Sequence, residues 1–102
     1  MKLREFSDLG WKVSEIGLGC WQIGWCWGDV QDNEARKLLK KALDQGVNFF
    51  DTSDTYGDGR SEKFLSEIIK STKEKIYVTT KLGRRIRGTN YQKGYKHFPM
   101  EE

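Results

Sequence analysis

Cysteine is scarce in this chain. Cys20 and Cys26 are its only two, and with no second pair and no adjacent histidine they supply neither a disulfide framework nor a zinc-ligand set. They read as two reduced, partly buried thiols. Long apolar runs are also missing. None approaches the roughly 20 residues of a spanning helix, and the opening Met1-Lys2-Leu3-Arg4-Glu5-Phe6 lacks the apolar stretch of a secretory signal. A soluble, cytoplasmic protein without a membrane partner is expected. Charge of one sign is hardly in excess either, since 18 basic against 15 acidic residues leave a net +3. That balance does not demand a nucleic acid, although it suits an anionic small molecule.

The chain is short as well. Its 102 residues make one small domain at most, and a chain of this size buries only about 60 to 68% of the surface its unfolded form exposes. What it has in quantity is aromatic side chains, four Trp, four Tyr and five Phe. They keep it on the globular side of disorder.

Leu3, Phe6, Trp11 and Val13 are the apolar members of the first fifteen residues and lie around Ser7-Asp8-Leu9-Gly10, as in a short hairpin. Ile16 to Cys20 is a brief apolar run, a strand that enters a loop rich in Gly and Trp from Trp21 to Gly28. The period then changes. Ala35, Leu38, Leu39, Ala42 and Leu43 recur at helical spacing with Arg36, Lys37, Lys40 and Lys41 on the other side, which predicts an amphipathic helix capped by Asp32 and stopped by Gly46. Val47 to Asp51 reads as a buried strand and Thr52 to Gly59 as a loop. A second helix follows, with Ser61 as its cap, Glu62 at the positive end of its dipole, and Phe64, Leu65, Ile68 and Ile69 as its stripe. Lys75 to Thr80 is a third strand, and residues 84–102 lose periodicity and read as loop. Strands alternating with helix-length crossovers indicate an α/β fold with a parallel sheet.

In such folds the functional side chains lie at the carboxyl ends of the strands. Asp51 ends one strand, Lys81 follows the next, and Tyr56 lies in the loop between. A phenol is a weak proton donor at neutral pH, and a neighbouring ammonium favours its ionised form. Lys81 can play that part, Asp51 can hold the ammonium charged and oriented, and Tyr56 is then the general acid. Taken one at a time, each has a bland explanation: a carboxylate in a turn, a packed phenol, a solvated lysine. Gly17-Leu18-Gly19 is a poor dinucleotide fingerprint, because Gln22 stands where the third glycine belongs. Trp25 and Trp27 either line an apolar pocket or pack within their loop.

The run Asp51-Thr52-Ser53-Asp54-Thr55-Tyr56-Gly57 resembles the aldo-keto reductase family, as do Gly59-Arg60-Ser61-Glu62, Thr80-Lys81-Leu82-Gly83 and, upstream, Gly17-Leu18-Gly19-Cys20-Trp21. The motifs stand in the family's order from Leu3 to Gly83. The resemblance implies a (β/α)8 TIM barrel, of which the chain holds the N-terminal hairpin, the first three strands and two helices, an incomplete single domain over residues 1–102. It implies hydride transfer between NADPH and a small carbonyl compound. It also implies Asp51, Tyr56 and Lys81 as catalytic residues, Gly19, Trp21, Gln22 and Asp51 toward the cofactor, and Trp21 and Tyr56 toward the substrate.

The family's catalytic histidine, at the end of a fourth strand, and its adenosine-phosphate site have no counterpart here. His97 is expected to be a loop residue. The expectation is therefore the N-terminal part of a reductase, inactive as an isolated chain. The alternative is a non-catalytic interaction protein that uses the half-barrel as a scaffold, either self-associating through its open sheet edge or docking on a partner. Basic and aromatic residues from Arg84 to Lys96 are the ingredients of a single-strand binding surface, but they read better as a solvated loop.

Overall fold

The computed structural model describes residues 1–24 and 30–82, together with the strands at 84–86 and 95–97. The chain opens with an antiparallel hairpin, β1 (Leu3–Phe6) and β2 (Trp11–Ser14), whose register sets Leu3 opposite Ser14 and Phe6 opposite Trp11. Its turn is a single 3₁₀ turn at Ser7–Leu9 closed by Gly10 at φ 72°, the left-handed conformation glycine adopts without penalty.

A three-stranded parallel sheet follows in the order β3 (Leu18–Gly19), β4 (Phe49–Asp51), β5 (Tyr77–Thr79). Helix α1 (Asp32–Asp44) connects the first pair and α2 (Arg60–Ser71) the second. The helical period anticipated for both segments is what buries them, with Ala35 and Leu39 from α1 and Phe64, Leu65 and Ile68 from α2 turned inward. Between them lies Phe50 of the central strand, fully buried, joined by Cys20, Ile23 and Val47. The opposite face of the sheet is aromatic toward its N-terminal end. Trp11 of the hairpin lies 4.9 Å from the ring of Tyr77, and Phe6 lies 6.2 Å from that of Phe49.

Asn48 fastens this hairpin. Its Oδ1 accepts from the Ser14 amide at 2.7 Å, its own amide donates to Ser14 Oγ at 3.1 Å, and its Nδ2 donates to the Lys12 carbonyl at 3.0 Å. The hairpin therefore sits below the N-terminal ends of the strands, which leaves their carboxyl ends open.

Three local expectations are corrected. The cap position of α1 is Gln31, and Asp32 is already helical with no capping bond; its carboxylate accepts from Arg60 at 2.8 Å instead. The cap position of α2 is Gly59, and Ser61 lies inside the helix, where its hydroxyl has been drawn into the core. Within 84–102, read as loop, β6 (Arg84–Ile86) pairs antiparallel with β7 (Tyr95–His97). The ladder hydrogen bonds of such a pair require no apolar periodicity, which is why the pattern gave no sign of it. Gly46 does end α1, at φ 94°. Its amide donates to the Leu43 carbonyl and that of Val47 to Ala42, both at 3.0 Å, the paired bonds of a Schellman stop.

Candidate active site

Gly19, Asp51 and Thr79 stand side by side across the last row of the parallel sheet. Backbone bonds carry the row onward, from the Cys20 amide to the Asp51 carbonyl and from the Thr52 amide to the Thr79 carbonyl, both at 2.8 Å. Sheet pairing thus fixes where the Asp51 carboxylate emerges. Thr79 Oγ1 donates to its Oδ1 at 2.7 Å.

Lys81 reaches back over this row. Its Nζ donates to Asp51 Oδ1 at 3.2 Å, to Oδ2 at 3.1 Å and to the Thr52 carbonyl at 2.7 Å, and lies 3.5 Å from Tyr56 Oη. The ammonium is also 5.1 Å from the centre of the Tyr56 ring. Asp51, Tyr56 and Lys81, named from spacing, are therefore brought together around one cation. A carboxylate, an ammonium and a phenol in mutual reach can hold a charge and deliver a proton at one point.

The two charged members respond to each other. Partial burial pushes the Asp51 carboxyl up, but the Thr79 hydroxyl and the Lys81 ammonium outweigh it and hold the group below its ordinary 3.8. Partial burial likewise pushes Lys81 down, and bonding to Asp51 and Tyr56 carries it above its ordinary 10.5. Asp51, depressed on folding, contributes stability that is present above 3.8 and lost as pH falls through its lower folded value. Lys81, raised on folding, contributes stability present below 10.5 and lost as pH rises through its higher folded value.

Both side chains are about half exposed, at 52% and 49%, so solvent screening limits the pair to about 1 kcal/mol or less. The difference in urea midpoint between wild type and Asp51→Asn should accordingly be flat near neutrality and shrink below about pH 3.8. A difference that persisted undiminished in acid would mean that the carboxylate's charge is not what stabilises.

Of the other residues anticipated, Gly19 lies beside Asp51, and a Cβ placed there would have no atom within 4 Å. Trp21 follows at the end of β3 with 40% of its surface exposed, and Gln22 begins a short 3₁₀ turn. Trp25, Cys26 and Trp27 lie outside the described residues. Cys20 faces inward instead, and burial, with Asp51 nearby, pushes its thiol up to about 12. An un-ionised thiol is a poor nucleophile.

Several supporting groups stand in the quoted motifs, but their contacts were not legible there. Ser61 Oγ donates to the Cys20 carbonyl at 3.0 Å and lies 2.7 Å from Thr52 Oγ1, both hydroxyls fully buried. Glu62 accepts from Thr80 Oγ1 at 2.8 Å, which pins the residue before Lys81. Gly24 and Gly57 meet back to back. A Cβ on Gly24 would stand 2.5 Å from the Tyr56 carbonyl carbon, and one on Gly57 would stand 2.6 Å from the Gly24 oxygen.

A groove of about 1010 Å³ lies elsewhere, among Leu39, Leu43, Asn48, Ile68 and Tyr77 near the N-terminal ends of β4 and β5. None of the six candidate residues lines it. Chemistry and not volume locates the site.

Comparisons with known proteins bear on the family and the fold. The model of the "Aldo/keto reductase family" matches residues 15–101. The chain is similar to the uncharacterized oxidoreductase YqkF of Bacillus subtilis, 33% identical over 85 residues, which cover 83% of this chain and 26% of that protein. It is 35% identical over 94 residues to the L-galactose dehydrogenase of Arabidopsis thaliana, covering 89% of this chain and 30% of the relative. The structure of the aldo-keto reductase AKR11C1 from Bacillus halodurans in its holo form superposes with a TM-score of 0.79 at 28% identity, covering 96% of this chain and 30% of that one. The chain thus spans less than a third of the length of these relatives, and its hairpin, sheet and two helices are a partial (β/α)8 barrel with no closed ring of strands among the described residues. With the family model matched over most of the sequence and the fold superposing on a solved member, this chain belongs to the aldo/keto reductase family.

Proposed function

We propose that the chain provides the proton-donating side of the active site of an NADPH-dependent aldo-keto reductase that reduces a small carbonyl compound. The observation that carries this is the position of Lys81 Nζ, bonded to both Asp51 oxygens and 3.5 Å from Tyr56 Oη at the carboxyl ends of parallel strands. The residues present fit the reacting end of the cofactor. A Cβ at Gly19, beside Asp51, would meet no atom within 4 Å, and Trp21, two residues on, is exposed. Gly19, Trp21, Gln22 and Asp51 would hold that end.

NADPH, when bound, supplies the hydride that reduces the carbonyl carbon. Tyr56 Oη donates the balancing proton to the carbonyl oxygen. Lys81 stabilises the negative charge left on the phenol oxygen, because a preorganised cation near a developing anion lowers the barrier to its formation. Asp51 keeps that ammonium charged and aimed, and Trp21 with Tyr56 borders the substrate.

As an isolated chain the protein is expected to be inactive. Its sheet leaves β3 and β5 without outer neighbours among the described residues, and the Asp51–Lys81 pair stands half in water. The test has two arms. The purified chain with NADPH and a panel of aldehydes should show no saturable cofactor oxidation. A chimera in which it replaces the matching segment of the Bacillus subtilis relative should show carbonyl-dependent oxidation. Saturable turnover by the chain alone would overturn the inactivity. A folded chimera that binds NADPH without reducing any carbonyl would overturn the reductase reading.

The edges of β3 and β5, unpaired among the described residues, with Val78 and Leu82 exposed beside the latter, favour self-association as a second reading. Gel filtration decides it, through a defined oligomer against a monomer.

A further inference from the structure

Arg60 is the first residue of α2, yet its side chain is only 10% exposed. Arginine is seldom withdrawn this far from water unless its donors are met. Here they are. Nη1 donates to the Ile23 carbonyl, and Nη2 donates to the Val30 carbonyl at 2.7 Å and to Asp32 Oδ1 at 2.8 Å. The guanidinium also lies over the Phe64 ring, 4.8 Å from its centre.

One side chain therefore ties α2 to the chain leaving β3, to the chain entering α1 and to α1 itself. The planar fork of a guanidinium can engage such divergent acceptors at once, and a lysine ammonium on its flexible stem cannot. The tie converges on Tyr56. Ile23 precedes Gly24, whose backbone rests on the Tyr56–Gly57 peptide with no room for a Cβ on either glycine. On the other side, the Ser61 amide donates to the Tyr56 carbonyl at 3.1 Å. The Tyr56 backbone is thus held between the segment that Arg60 pulls in and the helix that Arg60 begins.

We propose that Arg60 is a positioning residue, a clamp that presses the Ile23–Gly24 backbone onto the Tyr56–Gly57 peptide and so keeps the Tyr56 phenol within reach of Lys81. Its consequence for catalysis rests on the reductase reading above. The clamp itself does not.

The test is amide hydrogen exchange on the 102-residue chain, without cofactor or substrate, together with the ring signals of selectively labelled tyrosine. In Arg60→Ala the amides of Gly24 and Tyr56 should exchange about tenfold faster or more, while those of Thr52 and Tyr77 in the sheet should stay within about twofold. The Tyr56 ring signal should lose its response to Lys81→Met, a response present in the wild-type background. Arg60→Lys should behave like Arg60→Ala, and millimolar methylguanidinium added to Arg60→Ala should restore both readouts.

If Arg60→Ala does not fold, Gly24→Ala carries the test with Arg60 intact. Its Cβ would force the same two segments apart and should reproduce the same local exchange pattern and the same loss of ring response. Unchanged exchange at Gly24 and Tyr56, or acceleration spread evenly over the sheet, would overturn the clamp. So would a Tyr56 signal that still responds to Lys81→Met. A folded, NADPH-binding chimera that failed the reductase assay while these signatures appeared in the chain would count against the proposed function and leave the clamp standing.

Discussion

Tyr56→Phe, made in the chimera, should lower kcat by about 10²- to 10⁴-fold, the span that positioned proton transfer contributes. KM and thermal midpoint should change little. The hydroxyl is the only group that the substitution removes, and the ring remains to pack. The bond from Oη to Lys81 is long, at 3.5 Å, and lies at the exposed rim, so folding loses little when it goes. Under the proposed mechanism, what disappears is the donor, and with it the means of neutralising the oxygen of the reduced carbonyl.

A fall in kcat matched by an equal fall in kcat/KM would place the lost interaction in the transition state. A rise in KM with kcat intact would make Tyr56 a binding residue and not the acid. Lys81→Met is not a milder version of the same test. That side chain holds Asp51, the Thr52 carbonyl and Tyr56 together, so its removal releases all of them. The two substitutions combined should cost far less than the product of their separate effects, as expected of residues that act as a unit.

How much of this was legible in the sequence depends on the range of the interaction. Helix α1 and its Gly46 stop follow from spacing within a dozen residues, and so does the stripe of α2. Asp51 and Lys81 could be placed because strand ends in a parallel sheet gather at one rim whatever else surrounds them. Asp32 and Ser61 were misjudged for a physical reason. Each is a residue type with strong capping preference near a helix start, but each found a better partner from a distant part of the chain, the Arg60 guanidinium for one and the Cys20 carbonyl with the Thr52 hydroxyl for the other. A buried hydroxyl or a partly screened carboxylate takes the partner that tertiary packing supplies.

The targets of Asn48 and Arg60 were hidden for a related reason, although Arg60 itself stands in a motif the sequence displays. Three of the acceptors they reach are backbone carbonyls, those of Lys12, Ile23 and Val30, and a carbonyl is present at every position. Sequence reveals the donor and hides its target. Glycine marks such contacts only indirectly. Gly24 and Gly57 stand far apart in the chain, and nothing in either local context shows that each excludes a side chain from the other.

The core, by contrast, rests on one residue that the apolar pattern did identify as buried, and the largest expected loss of stability follows from it. Phe50→Ala should cost about 3 to 5 kcal/mol, the range for truncating a buried aromatic. The ring has no exposed surface, stands on the central strand and is packed in the cluster formed by both helices. A domain of this size starts from about 5 to 15 kcal/mol of total stability, and a sheet of three strands with one covered face belongs at the lower end. The variant should therefore lose most of its cooperative urea transition at room temperature.

Val78→Ala provides the internal control. It lies directly beside Phe50 in the parallel register, but is 38% exposed because no further helix covers it among the described residues. Its truncation forfeits far fewer contacts and should cost about 1 kcal/mol or less. Equal losses at the two positions would mean that the α1–β4–α2 cluster is not the core. A large loss at Val78 alone would show that something covers β5 in solution, which is the outcome self-association requires.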